Sequence, residues 1–336
     1  MEYLSHPIEL FEKNKSNFCY LYKHMNALAA VAATGGAMAQ AVLTGEIAYG
    51  YSSTTSGAGA TTSGGGMDTS QLVFTATEDL GSGNSITASM ATDGTAGRTG
   101  SMGMDDQSIT LKMSGISIVA GSTKPGDWLT GTSGGATWYG LDGAILSSRG
   151  KNEKIGVSIP VMEGVSLSVT QYSPDSVTSE GSGNGGSTAQ FNTTYNLKYA
   201  TGALTVQAGY KGYTNNYGTD SYTNNLSRVG GNYDLGVAKI GAAWDSTNYG
   251  GTGTRSRAMF SASAPLGPMS LNMEWASSSV TSSTLATAGT RTGYMLGAQY
   301  NLSKRTYTIL NFGSWLNAVT DTQNKSTTAL TLVHDF

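Results

Sequence analysis

The sequence predicts an all-β fold, a transmembrane antiparallel up-and-down barrel of sixteen strands. Three observations lead there. Apolar residues alternate with polar ones at period two along most of the chain; short turns alternate with long polar connections; and charged strand residues, except Glu78 at a turn, keep to one parity while aromatics collect on the other. The bulk composition agrees. A chain of 336 residues with 46 Gly, 6 Pro and 12% charged residues is too regular in its alternation to be disordered, and lacks the Leu, Lys and Glu richness of a helical protein. A net charge of −3 supplies no basic stripe for nucleic acid.

The first element is a leader. Residues 25–39, "MNALAAVAATGGAMA", form an apolar run with Lys23 and His24 before it and Ala37, Met38 and Ala39 at its end. It is shorter than the roughly 20 residues a spanning helix requires, and reads as a secretory signal with an A-x-A cleavage site. Residues 1–24 are then a long leader or an upstream extension of the reading frame, and residues 40–336 form the barrel. The single Cys19 precedes the cleavage site, and of three His residues only His334 follows it. Disulfide chemistry, a His-based metal cluster and a Ser-His-Asp triad are thereby removed, so the expectation is no enzyme, no cofactor and no metal.

The strands follow in order. "TGEIAYGY" opens the barrel, and seven tight turns then join strand pairs: Asp79 to Gly83, Ser114-Gly115, Pro160 to Gly164, Ala200 to Gly202, Asp234 to Gly236, Pro265 to Pro268, and Leu302 to Arg305. Between them lie eight longer polar connections, at 52–70, 91–107, 122–153, 173–190, 212–225, 246–254, 276–290 and 313–326. "TTALTLVHDF" closes the chain. An even strand count with both termini on the short-turn side is the pattern of an outer-membrane barrel, with periplasmic turns and extracellular loops.

The two faces separate by parity. Phe191, Tyr195, Leu197 and Tyr199 alternate with Asn192, Thr194, Asn196 and Lys198, and Ile155, Val157 and Ile159 alternate with Lys154, Gly156 and Ser158. Glu46, Lys112, Arg228, Lys239, Arg255, Arg257, Glu274 and Arg291 all fall on the polar parity. A Lys or Arg on the lipid face at the bilayer midplane costs about 2–4 kcal/mol, which is reason enough for the segregation. In "GYMLGAQYNLSKRTYTILNF", Tyr294, Leu296, Ala298, Tyr300 and Leu302 should face lipid or a neighbouring subunit, Gly293, Gln299 and Asn301 should face water inside the barrel, and beyond the turn Tyr307 and Ile309 share the apolar parity. Aromatics on the apolar parity gather at two heights: Tyr49, Tyr210, Trp244, Trp275 and Tyr294 toward the loops, and Tyr199, Tyr233, Tyr300, Tyr307 and Phe336 toward the turns.

Several of these segments resemble known ones. "YMLGAQYNLSKRTYTI" resembles the Y-x-L-G-A-x-Y-x-L-S-K-R-T hairpin of Gram-negative general porins of the betaproteobacterial type, and "VHDF" resembles that family's C-terminal R-H-x-F. "EDLGSG" is similar to the turn after the family's second strand, and "SSRGKNEKIGVSIPVMEGVSL" to its entry into strands six and seven. The resemblance spans residues 41–336. It implies a homotrimeric, water-filled pore in outer-membrane lipid for passive diffusion of small hydrophilic solutes and ions. It also implies a third loop folded into the lumen and a terminal Phe336 read by the barrel-insertion machinery.

The third connection, 122–153, is independently the longest of the eight, and a loop of that length needs a docking place. Folded inward, it would bring Asp127, Asp142 and Arg149 near the constriction, facing Lys154, Arg228, Arg255, Arg257 and Arg291 on the wall. Rings of charge set ion preference in such pores. The chain departs from the family where Thr75, Thr87 and Ser89 stand on early strands that tend to carry Arg. The competing reading is a secreted β-rich adhesion or surface-layer protein whose apolar faces form a core.

Overall fold

The computed structural model describes residues 40–93, 103–124, 128–133, 141, 152–172, 191–214, 225–249, 253–282, 288–316 and 324–336. Sixteen strands close into one antiparallel barrel in which each pairs with its sequence neighbours and β1 (Gln40–Thr55) pairs with β16 (Lys325–Asp335). The seam continues past the last strand. Gly45 N–H donates to the Phe336 carbonyl at 2.9 Å, and Phe336 N–H donates back to Gly45 at 3.0 Å. A Cβ on Gly45 would overlap the Phe336 ring, so the glycine is what lets the terminal aromatic lie across the first strand.

The tight turns fall where the sequence puts them. Between β2 (Thr61–Gly81) and β3 (Asn84–Asp93), and between β4 (Gly103–Met113) and β5 (Ile116–Thr123), the two central residues both have positive φ: Ser82 55° with Gly83 78°, and Ser114 49° with Gly115 84°. That is the two-residue hairpin geometry whose twist matches the flanking strands. The long connections are shorter than the polar composition suggests. β1 and β2 stay paired from Gln40↔Thr77 out to Thr55↔Thr61, so most of 52–70 is strand and the hairpin closes over 56–60. β11 (Lys239–Asn248) and β12 (Gly253–Leu266) likewise leave only 249–252 between them. Ladder hydrogen bonds come from the backbone, so Ser, Thr and Gly runs extend strands as well as apolar ones do.

The apolar parity faces outward. Leu296, Leu310, Leu330 and Leu332 are 44%, 49%, 56% and 49% exposed, whereas Met295, Asn311, Ala329 and Thr331 on the alternate positions are buried. Nine of the ten aromatics expected at the interfaces lie on this exposed face, and the Trp244 indole N–H donates to Ser256 at 2.8 Å. A continuous apolar belt around a closed barrel has lipid, not water, as its matching solvent. Among the described residues no second sheet covers that belt, which counts against the reading of a secreted protein whose apolar faces form a core.

Tyr307 is the exception. β14 (Gly289–Asn301) pairs with β15 (Thr306–Trp315) through Asn301↔Tyr307 and Gln299↔Ile309, and paired residues share a side. Tyr307 and Ile309 therefore point into the barrel, packed with Ala48 and Val333, and Leu310 and Phe312 carry the lipid face instead. Both parities of "TYTILNF" hold apolar residues, so alternation alone does not choose between them.

Candidate functional site in the lumen

The third loop reaches the far wall. Its helix α1 (Trp128–Ser133), between β5 and β6 (Asn152–Met162), packs on the inner faces of β10 (Asn225–Asp234), β11 and β12. Gly241 makes the contact possible, because a Cβ there would occupy the place of the Ser133 carbonyl. That carbonyl accepts from Ser261 Oγ at 2.6 Å, and the Thr132 carbonyl accepts from Asn232 Nδ2 at 2.9 Å. The last carbonyls of a short helix are thus satisfied by the wall. Leu129 and Leu141 are buried with Ala243, Met259, Ala276, Met295 and Trp315 in one apolar cluster. The inner face is therefore not uniformly polar; it carries an apolar patch that seats the loop.

Above this seat, toward the loop end, the wall is basic. Strand pairing sets Arg228, Asp245, Arg257, Ser278 and Arg291 side by side on β10 to β14. One step further up come Lys211, Leu226, Thr247, Arg255 and Val280. Arg257 donates to Asp245 through Nε at 2.8 Å and through Nη2, a two-point pair that is 8% exposed on one side chain and 0% on the other. Aromatic rings hold three other cations. Arg228 lies 5.1 Å from the Trp128 ring of α1, Arg255 5.7 Å from Tyr249, and Lys211 5.3 and 5.8 Å from Tyr172 and Tyr213.

Of the residues expected at the constriction, the structure brings Arg228, Arg255, Arg257 and Arg291 onto one inner arc. Lys154 extends that arc to β6, where it stands opposite Tyr172. Asp127, Asp142 and Arg149 lie outside the described residues. Lys211, Asp245 and Gly241 were not singled out from sequence. Lys211 shares the parity of Gln207 and Gly209 and was visible as a wall residue. Asp245 acquires its role only from register, and Gly241 only from the approach of the third loop.

Comparison with known proteins now has a geometry to meet. The family model described as Gram-negative porin matches residues 27–316. This chain belongs to that family. The porin has no significant match among curated proteins, but solved porins share its fold. An anion-selective porin from Comamonas acidovorans is 18% identical with a TM-score of 0.67, and the match covers 89% of this chain and all of that one. OmpF of Salmonella typhi, in a complex with daunomycin, is 13% identical with a TM-score of 0.66, covering 89% and 98%. OmpT of Vibrio cholerae is 12% identical with a TM-score of 0.64, covering 88% and 97%. The protein is an outer-membrane channel for passive diffusion, and its family and fold are those of non-enzymatic channels.

Proposed function

We propose that this porin passes small hydrophilic solutes and ions with a preference for anions, set by Lys154, Lys211, Arg228, Arg255, Arg257 and Arg291. The supporting observation is the placement of Lys211, Arg228, Arg255, Arg257 and Arg291 on adjoining strands of the inner face beside the docked third loop, with Asp245 paired to Arg257 and Lys154 further round the wall on β6. Charges in a confined lumen act through a weaker dielectric screen than on an open surface, so they bias which ions enter. Asp127, Asp142 and Arg149 complete the constriction in this reading. The trimer form recorded for OmpT of Vibrio cholerae supports a homotrimer. Residues 1–39 are a leader removed on export, the turns face the periplasm, and Phe336 at the barrel seam is the signal read by the insertion machinery.

The test is the reversal potential of the purified channel in a KCl gradient, for wild type and for Arg255→Ala/Arg257→Ala. Anion preference in wild type and a shift toward cations in the variant are expected. Identical potentials would remove the wall charges from the account.

A further inference from the structure

We infer that Trp128 of α1 is a selectivity-determining residue of the pore: its ring holds the Arg228 guanidinium away from Asp245, so that the charge of Arg228 stays uncompensated beside the lumen. The inference deepens the anion-preference reading and rests on it. What carries it is the direction that one side chain takes.

Asp245 has an arginine directly opposite it on either side, Arg228 on β10 and Arg257 on β12. Paired residues on neighbouring strands have Cβ atoms about 4.5–5.5 Å apart, so register offers the carboxylate to both guanidinium groups alike. The pairing is nevertheless one-sided. Arg257 donates to both Asp245 oxygens, whereas the Arg228 Nε–H is buried without an acceptor. The Arg228 stem runs the opposite way, over Gly209 on β9 (Leu204–Thr214), where a Cβ on the glycine would lie 3.4 and 3.5 Å from Arg228 Cδ and Cγ. Its guanidinium ends 5.1 Å from the centre of the Trp128 ring.

A ring face attracts a guanidinium and leaves its charge in place, while a carboxylate cancels it. The choice of partner therefore decides whether Arg228 counts as a lumen charge. Trp128 is half-buried on the docked loop and packs against the apolar cluster that seats α1. The rings over Lys211 and Arg255 come from outside the third loop, so among the described cation–ring contacts that of Arg228 is the one that depends on where this loop lies. The helix seated in the lumen also fixes the charge beside it. Without the ring, Arg228 has a path back to Asp245, where it would share the carboxylate with Arg257. The positive excess on this part of the wall would then fall, within a Debye length of passing ions.

The experiment is the reversal potential of the full porin in a KCl gradient, for wild type, Trp128→Leu, Trp128→Phe, Arg228→Gln and Trp128→Leu/Arg228→Gln. Tryptophan carries no charge, so a shift caused by its removal has to act through another group. Trp128→Leu should lower the chloride-to-potassium permeability ratio roughly twofold, the order expected when one fixed charge in a screened lumen is compensated. Trp128→Phe keeps a ring face and should stay near wild type. In the Arg228→Gln background the change to Leu should have no further effect, whereas a role confined to packing would move the potential by the same factor in both backgrounds. Retention of folded, heat-resistant mobility on gels establishes that each variant is a barrel. Equal potentials for wild type and Trp128→Leu, or equal shifts with and without Arg228, would overturn the inference. A wild-type channel that prefers cations would overturn the anion reading instead, because the dependence of the Trp128→Leu shift on Arg228 is read whatever the sign of the wild-type preference.

Discussion

From β2 to β3 the inner wall is lined by hydroxyls that satisfy one another, Thr77 with Thr87 at 3.0 Å and Thr75 with Ser89 at 3.5 Å. From β9 (Leu204–Thr214) to β14 it carries Lys211, Arg228, Asp245, Arg255, Arg257 and Arg291, and it also seats the third loop. The outer faces of the two regions do not differ in kind: Phe74 and Met90 look outward in the first as Trp244 and Leu296 do in the second. Lipid imposes the same cost at every point of the outer face, so that face is monotonous. The inner face meets water, the loop and the solute, and each imposes a different demand.

The largest effect should come from splitting the ion pair. Asp245→Ala leaves Arg257 buried without its carboxylate, at a cost of about 3–5 kcal/mol. Urea unfolding followed by Trp fluorescence should show the lower stability, and Asp245→Ala/Arg257→Met should recover most of it. A single variant as stable as wild type would mean that Arg257 is solvated and that the charged wall is no more constrained than the hydroxyl wall.

Next in size is Gly241→Leu. Its side chain would enter the space of the Ser133 carbonyl and strain the docked loop by about 1–3 kcal/mol, shifting its population by roughly ten- to a hundredfold. Swelling of porin-containing liposomes in sugars of increasing size should reveal faster entry of the larger ones. Unchanged size exclusion would show that α1 does not define the constriction.

The smallest effect belongs to the other wall. Thr75→Val/Thr77→Val removes hydroxyls from two cross-strand pairs of uncharged residues, and stability should stay within about 0.5 kcal/mol with an unaltered KCl reversal potential. A measurable change in selectivity would make the two walls functionally alike.

Strand number, turn positions and most facing directions were legible in the sequence, because period two and turn chemistry are local. Ser114-Gly115 announces a hairpin whatever surrounds it, and Arg228, Arg255 and Arg257 betray their side by parity. Tyr307 was misread because Ile309 and Leu310 offer an apolar residue to either face. The 56–60 hairpin was overestimated as a loop because Ser, Thr and Gly look alike in a loop and in a polar strand.

By itself, then, the sequence determined a sixteen-stranded barrel with lipid outside and charge inside, since lipid penalises every misplaced charge in the same way and so writes a repeating pattern. Only the tertiary structure decided that Asp245 pairs with Arg257, that Gly241 receives the third loop, and that Thr247 stands opposite Arg255. Those relations join residues on different strands through the register of the closed sheet, and Gly241 to Ser133 across more than a hundred residues of chain. No local period records a contact of that kind.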